Sequence, residues 1–229
     1  RRNFFDRLIF SFNKDYNTII NNYKKFVNER QLLLKNDNFD EDWLTKIENN
    51  IVKFGISIYH KRALHLKKIN EILQIINNSN HFSKNFKLKI EDNFFEKNSN
   101  IIEFNKQYLL ELKNRRQNDF FSGRCSIGPH RSDIYGINSE DNFNLNQLST
   151  GQQKTIVLLI IIAQSEYLIK DINLRPIILL DEICSHLDDI NRELLLYLID
   201  NTGIQVFMTG TKKNFFSFLS TKANYCNIT

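Results

Sequence analysis

The chain has 229 residues, of which 41% are apolar, and its 31 Lys+Arg against 26 Asp+Glu leave a formal charge of +5. That apolar content can bury one sizeable core or two modest ones and excludes wholesale disorder, while 7 Gly and 2 Pro exclude collagenous, linker-like and turn-dense all-β chains. No stretch approaches the ~18 apolar residues of a membrane span. The three cysteines, Cys125, Cys184 and Cys226, lie far apart with no CxxC spacing, which suits a reduced cytoplasmic protein. The chain opens Arg1-Arg2 without a Met or a signal peptide, as if entered inside a longer reading frame.

Charge is unevenly spread. Up to Phe120 there are 22 Lys+Arg and 15 Asp+Glu, a net of +7; from Phe121 onward 9 stand against 11, a net of −2. This division suggests two domains, 1–120 and 121–229. Tyr16, Ile19, Ile20, Tyr23, Phe26, Val27 and Leu34 recur at three- and four-residue steps, which predicts a helix over 14–35. Asp40, Glu41 and Asp42 then place negative charge where the amide end of a second helix would begin. Its apolar stripe runs from Trp43 and Leu44 to Ile76, a helix of about 50 Å at 1.5 Å per residue. Two such helices across a short polar loop suggest an antiparallel arm. Phe86, Leu88 and Ile90 alternate with Lys87 and Lys89, the pattern of a strand with one wet, basic face. Helix is expected again from Asn100 to Asn118.

The second half changes period. Short apolar runs at 125–127 and 132–137 precede Leu148-Ser149-Thr150-Gly151, and an apolar helix is expected from Gln152 to about Leu168. The strand Pro176–Leu180, a helix over 189–199 and a strand over 204–208 follow, the alternation of an α/β architecture with its sheet buried on both faces. At the carboxyl end of the first strand, where α/β sheets place ligands, stand Asp181 and Glu182. Asp181 is suited to hold Mg²⁺ beside phosphates, because a hard cation wants oxygen ligands; Glu182 is suited to act as general base on an attacking water. The bland alternative is a strand ending in a solvated acidic turn. Before the apolar helix, Ser149 and Thr150 are good caps, and Gly151 lets backbone amides approach a ligand, which makes an anion site. An ordinary capped helix would show the same residues.

Leu148 to Gln152 resembles the signature motif of ABC-type ATPases, and Ile178 to Glu182 with Ser185-His186-Leu187-Asp188 resembles the Walker B strand and D-loop of the same class. Gly128-Pro129-His130-Arg131-Ser132-Asp133, together with the opening Arg1-Arg2-Asn3-Phe4-Phe5-Asp6-Arg7-Leu8, narrows the resemblance to the RecF family of bacterial replication and repair proteins. The resemblance runs to about Thr211. It implies a partial ABC-ATPase head, 121–229, attached to a long-helix arm, 1–120, with ATP and Mg²⁺ as cofactors.

On that resemblance, Ser149 and Gly151, with Thr150 and Gln152 in the same motif, would contact the γ-phosphate of ATP bound mainly to an opposing subunit, so that ATP holds a head-to-tail homodimer. Asp188 would link the two sites, and Thr209, standing where ABC enzymes commonly have a histidine, would hydrogen-bond the γ-phosphate or water. The family binds DNA and acts with RecO and RecR to place RecA at single-strand gaps, supporting the SOS response. Arg62, Lys67, Lys68, Lys113, Arg115 and Arg116 are the candidate phosphate contacts of the basic arm; each could equally belong to a solvated helix face. The chain contains no Gly-x4-Gly-Lys-Ser/Thr loop, so it reads as an N-terminally truncated member. Two other classes share parts of the pattern. One is an ABC transport subunit, although Ile183 stands where transporters usually carry Pro. The other is an inactive fragment.

Overall fold

A computed structural model describes residues 1–36, 40–78, 85–96, 101–139, 143–182 and 189–227. These form two compact units, one of 1–67 with 88–135 and the other of 68–87 with 136–229. The expected division at 120/121 falls inside a helix, and the first unit continues to Tyr135.

In the first unit, α1 (Arg2–Phe10) leads into α2 (Lys14–Leu34), and α3 (Glu41–Asn78) begins there and continues for 38 residues. Asp40 caps α3 as its acidic opening suggests, its Oδ1 accepting from the amides of Asp42 (2.8 Å) and Trp43 (3.1 Å). The helices α2 and α3 are antiparallel. Tyr23 lies against Gly55, Phe26 stacks on Phe54 at 5.8 Å and Arg30 pairs with Glu48 at 3.0 Å, so residue numbers rise on one helix as they fall on the other. Gly55 leaves room for two tyrosines, because a Cβ there would sit 3.3 Å from Tyr23 Cε2 on α2 and 2.9 Å from Tyr108 Cε1.

The helix expected over 100–118 is broken. It forms α5 (Ile101–Asn114) and α6 (Arg116–Ser122), hinged at Arg115 with φ −94° and ψ 1°. The cause is a buried arginine. Leu112 O, the acceptor that would close the turn onto residue 116, receives Arg30 Nη2 at 2.7 Å. A short α4 (Asn93–Glu96) is capped by Asp92, whose other oxygen accepts from Tyr59 at 2.6 Å.

Strand β1 (Phe86–Glu91) alternates buried Phe86, Leu88 and Ile90 with exposed lysines, as its sequence predicts, and pairs with β2 (Asp133–Asn138). In the second unit, α7 (Thr150–Lys170) is buried on most sides and packs against α8 (Asp189–Thr202). Strands β3 (Ile177–Leu180) and β4 (Gln205–Met208) pair in parallel, Leu180 opposite Met208, with α8 as the crossover between them. Expected burial on both faces is not met. Ile178 and Leu180 are buried, but Ile177, Leu179 and Phe207 are 58%, 75% and 53% exposed, because the described residues cover only one face of this two-stranded sheet.

Candidate functional site

The strand register assembles the first cluster. With Leu180 opposite Met208, the residues that follow both strands lie side by side, and Thr209 N donates to Leu180 O at 3.0 Å. Thr209 Oγ1 donates to Asp181 Oδ1 and accepts from Glu182 N at 3.1 Å. Three residues singled out in the sequence therefore meet at the carboxyl end of the sheet. Asp181 and Glu182 are both exposed. Glu182 sits at φ 52°, a left-handed conformation that non-glycine residues adopt at a cost and that concentrates at functional sites. Asp188 lies outside the described residues.

The second cluster is the start of α7. Ser149 and Gln152 form a capping box: Gln152 N donates to Ser149 Oγ at 3.3 Å, and Ser149 N donates to Gln152 Oε1 at 3.2 Å. Gln153 Nε2 ties down the preceding turn through the carbonyls of Asn146 and Leu148, both at 2.9 Å. Thr150 is exposed, and no atom lies within 4 Å of a Cβ built on Gly151. Packing within the chain therefore does not require glycine there. What its absence of a side chain provides is open access to the amides of the first helical turn, at the positive end of the dipole.

The third cluster joins the two segments that resemble RecF most specifically. Asp6 receives Arg62 through a bidentate pair, Nε to Oδ1 at 2.9 Å and Nη2 to Oδ2 at 2.8 Å, with Tyr16 OH added at 2.7 Å. Arg62 Nη1 continues to Pro129 O (2.7 Å) and Ser132 Oγ (2.8 Å), while Arg2 donates to the carbonyls of His130 and Ser132. His130 lies between Tyr23 OH, 2.7 Å from Nδ1, and Cys125 O, 2.9 Å from Nε2. Only glycine fits at 128: φ is 121°, and a Cβ would lie 2.2 Å from Tyr108 Oη and 2.3 Å from Tyr23 Oη. The opening block thus braces the 128–133 loop. The parts played by Arg2, Asp6, Tyr23 and Tyr108 were not identified from sequence. Tyr23 read as an ordinary member of a helical stripe and Tyr108 lay inside an expected helix, although Arg2 and Asp6 stood in the block that carries the resemblance.

Residues 49–226 match the family described as the RecF/RecN/SMC N terminal domain. The chain belongs to that family. Within it, the chain is similar to RecF proteins described as DNA replication and repair proteins. Identity is 30% over 97% of the chain for that of Rickettsia massiliae and 31% over 100% of it for that of Agrobacterium fabrum. The chain spans 61% of the length of each. Two solved structures share its fold. A recombination mediator protein RecF with ATPrS superposes at a TM-score of 0.78 with 23% identity, over 94% of this chain and 58% of that one. A RecF with ATP does so at 0.77 with 24% identity, over 93% and 57%. The mixed helix-and-sheet architecture is thus that of the RecF/RecN/SMC head, and the antiparallel arm is consistent with it.

In this RecF/RecN/SMC-family chain the candidate phosphate contacts divide sharply. Lys67 and Lys113 are exposed, Arg115 is bonded to Glu111 at 2.8 Å, and Lys68 lies 3.4 Å from Glu71 and 3.8 Å from Asp171. Arg62 is 3% exposed and committed to Asp6, Pro129 and Ser132, which removes it as a surface contact. Arg116 is likewise turned inward, with two bonds to Glu48 at 3.0 and 2.7 Å and one to Glu41. Periodicity placed both arginines on helices but could not show that carboxylates faced them.

Proposed function

We propose that this chain carries the arm and part of the ATPase head of an ATP-dependent DNA-binding protein of replication and repair, of the RecF type. The observation that carries the reading is the extent of the likeness to RecF proteins, 97–100% of the chain, including the opening block and the loop it braces. A transport ATPase would share only the signature and Walker B segments.

In this reading Thr209 orients the Asp181 carboxylate by binding Oδ1, which leaves Oδ2 for Mg²⁺. Among the described residues no group of three or more His, Cys, Asp or Glu could cage a metal; one carboxylate beside phosphates and waters is the arrangement Mg²⁺ prefers. Glu182 orients a water and takes its proton. The first turn of α7 offers the amides of Thr150 and Gly151 and the Ser149 hydroxyl to a γ-phosphate held mainly by an opposing subunit, with Gln152 closing the capping box that holds the turn, and Asp188 links the two sites of the homodimer. Bound ATP with Mg²⁺ supplies the phosphate that closes the interface and the bond that is hydrolysed. Single-stranded or gapped DNA is the partner of the basic arm, and RecO and RecR act with it to load RecA and support the SOS response in the cytoplasm. A strain lacking the gene should survive ultraviolet irradiation poorly and recover when the gene is restored. Unchanged survival would contradict a repair role, and co-purification with a membrane subunit would favour the transport reading.

A further inference from the structure

The loop 128–133 is held far more firmly than a surface connection requires. A turn closed by Arg131 N to Gly128 O at 2.8 Å forms its core, with Pro129 and Ser132 buried. Arg62 and Arg2 bind three of its carbonyls, His130 is fixed at both ring nitrogens, and Asp133 pairs with Arg1 at 2.7 Å. One side chain escapes this bracing. Arg131 is exposed, and its guanidinium has no ion pair or hydrogen bond among the described residues.

The Arg131 guanidinium is open to an external anion, and a buried framework fixes in advance the turn that carries it. Holding it beforehand spares the entropy of ordering a loop on binding, and a guanidinium matches phosphate oxygens in a two-pronged geometry that an ammonium lacks. Burial first, and then Arg131 and Arg2, disfavour protonation of His130. Arg131 belongs to the same compact unit as α1, α2, α5 and α6, which carry much of the basic surplus, and a backbone phosphate is the anion such a surface attracts. Burial of Arg62 and the pairing of Arg116 with Glu48 and Glu41 sharpen the case, since both guanidinium groups are already committed within the chain.

We propose that Arg131, presented by the braced turn 128–133, contacts a phosphodiester of bound DNA. This rests on the DNA-binding reading above. The test is fluorescence anisotropy of the 229-residue chain on a labelled gapped duplex over about 50–200 mM salt. Arg131→Gln should weaken binding severalfold and reduce the slope of log affinity against log salt by about 1, with the thermal midpoint unchanged. Arg131→Lys should keep the slope and lose part of the affinity. Tyr23→Phe, which leaves the charge but removes a brace on His130, should weaken binding without altering the slope. Millimolar ATP should not displace the DNA from Arg131; displacement by ATP in wild type but not in Arg131→Gln would assign the arginine to nucleotide and overturn the proposal. Equal slopes and affinities for wild type and Arg131→Gln would also overturn it and leave the DNA-binding reading standing. Absence of salt-dependent binding by the wild type would remove both.

Discussion

His130 uses both ring nitrogens, and its partners set which nitrogen of the neutral ring carries the proton. Nε2 faces the Cys125 carbonyl and must donate; Nδ1 then accepts from Tyr23 OH. Burial holds Tyr23 and Tyr108 well above the usual phenol range, so both keep their protons. Burial also pushes the Cys125 thiol up to about 11, which leaves it a packed, unreactive group. Burial first, then Arg131 and Arg2, lower the His130 pKa below its ordinary 6.5. The folded chain therefore binds the proton less readily than the unfolded one. Stability from this residue is complete above pH 6.5 and is lost as pH falls from there through the folded pKa. Urea unfolding at about pH 5 and about pH 7.5 should show a smaller loss on acidification in His130→Gln than in wild type. An equal loss would mean that other groups carry the acid sensitivity. The Gly128-Pro129 pair before His130 is itself a turn signal. Its partners did not show, because Tyr23 and Tyr108 lie 107 and 22 positions away and no local pattern records such meetings.

At the level of elements, one buried network organises the arm. Arg30, 0% exposed, donates to Glu48 at 3.0 Å, Asp119 at 2.7 Å and Leu112 O at 2.7 Å, tying α2 to α3, α5 and α6. Arg116 neutralises the other side of Glu48, and Ser126 N satisfies the second oxygen of Asp119 at 3.0 Å. Removing one member would leave two buried carboxylates undercompensated. Arg30→Ala should therefore cost about 3–5 kcal/mol in urea unfolding. Lys113→Ala, at an exposed site, should stay within about 0.5 kcal/mol; equal effects would contradict the network's role. The stripes of α2 and α3 and the alternation of β1 were legible because each element buries one face and its period records that. The break between α5 and α6 was not legible. It results from a side chain on a distant helix taking a carbonyl, and the apolar residues on either side keep their helical spacing.

For the molecule as a whole, the sequence motifs picked out residues that meet in the fold better than they described their setting. Asp181, Glu182 and Thr209 converge as parallel pairing dictates, yet the strand that looked buried on both faces has Ile177 and Leu179 exposed. An apolar run reports what a strand can bury, and the elements present decide how much of it is buried. The same distinction applies to catalysis. Segments that resemble Walker B and the signature are present, but the chain contains no Gly-x4-Gly-Lys-Ser/Thr loop of the kind that grips β- and γ-phosphates. It should show negligible ATPase activity alone; Mg²⁺-dependent turnover abolished by Glu182→Gln would contradict that. The charge division, +7 before Phe121 and −2 after it, is the reason the proposed contact with nucleic acid is assigned to the arm. The most direct measurement is the affinity of the wild-type 229-residue chain for a gapped duplex as a function of salt. A linear fall of log affinity with log salt, at about one unit of slope per phosphate neutralised, is the predicted result. Failure to bind, or an affinity indifferent to salt, would contradict the account.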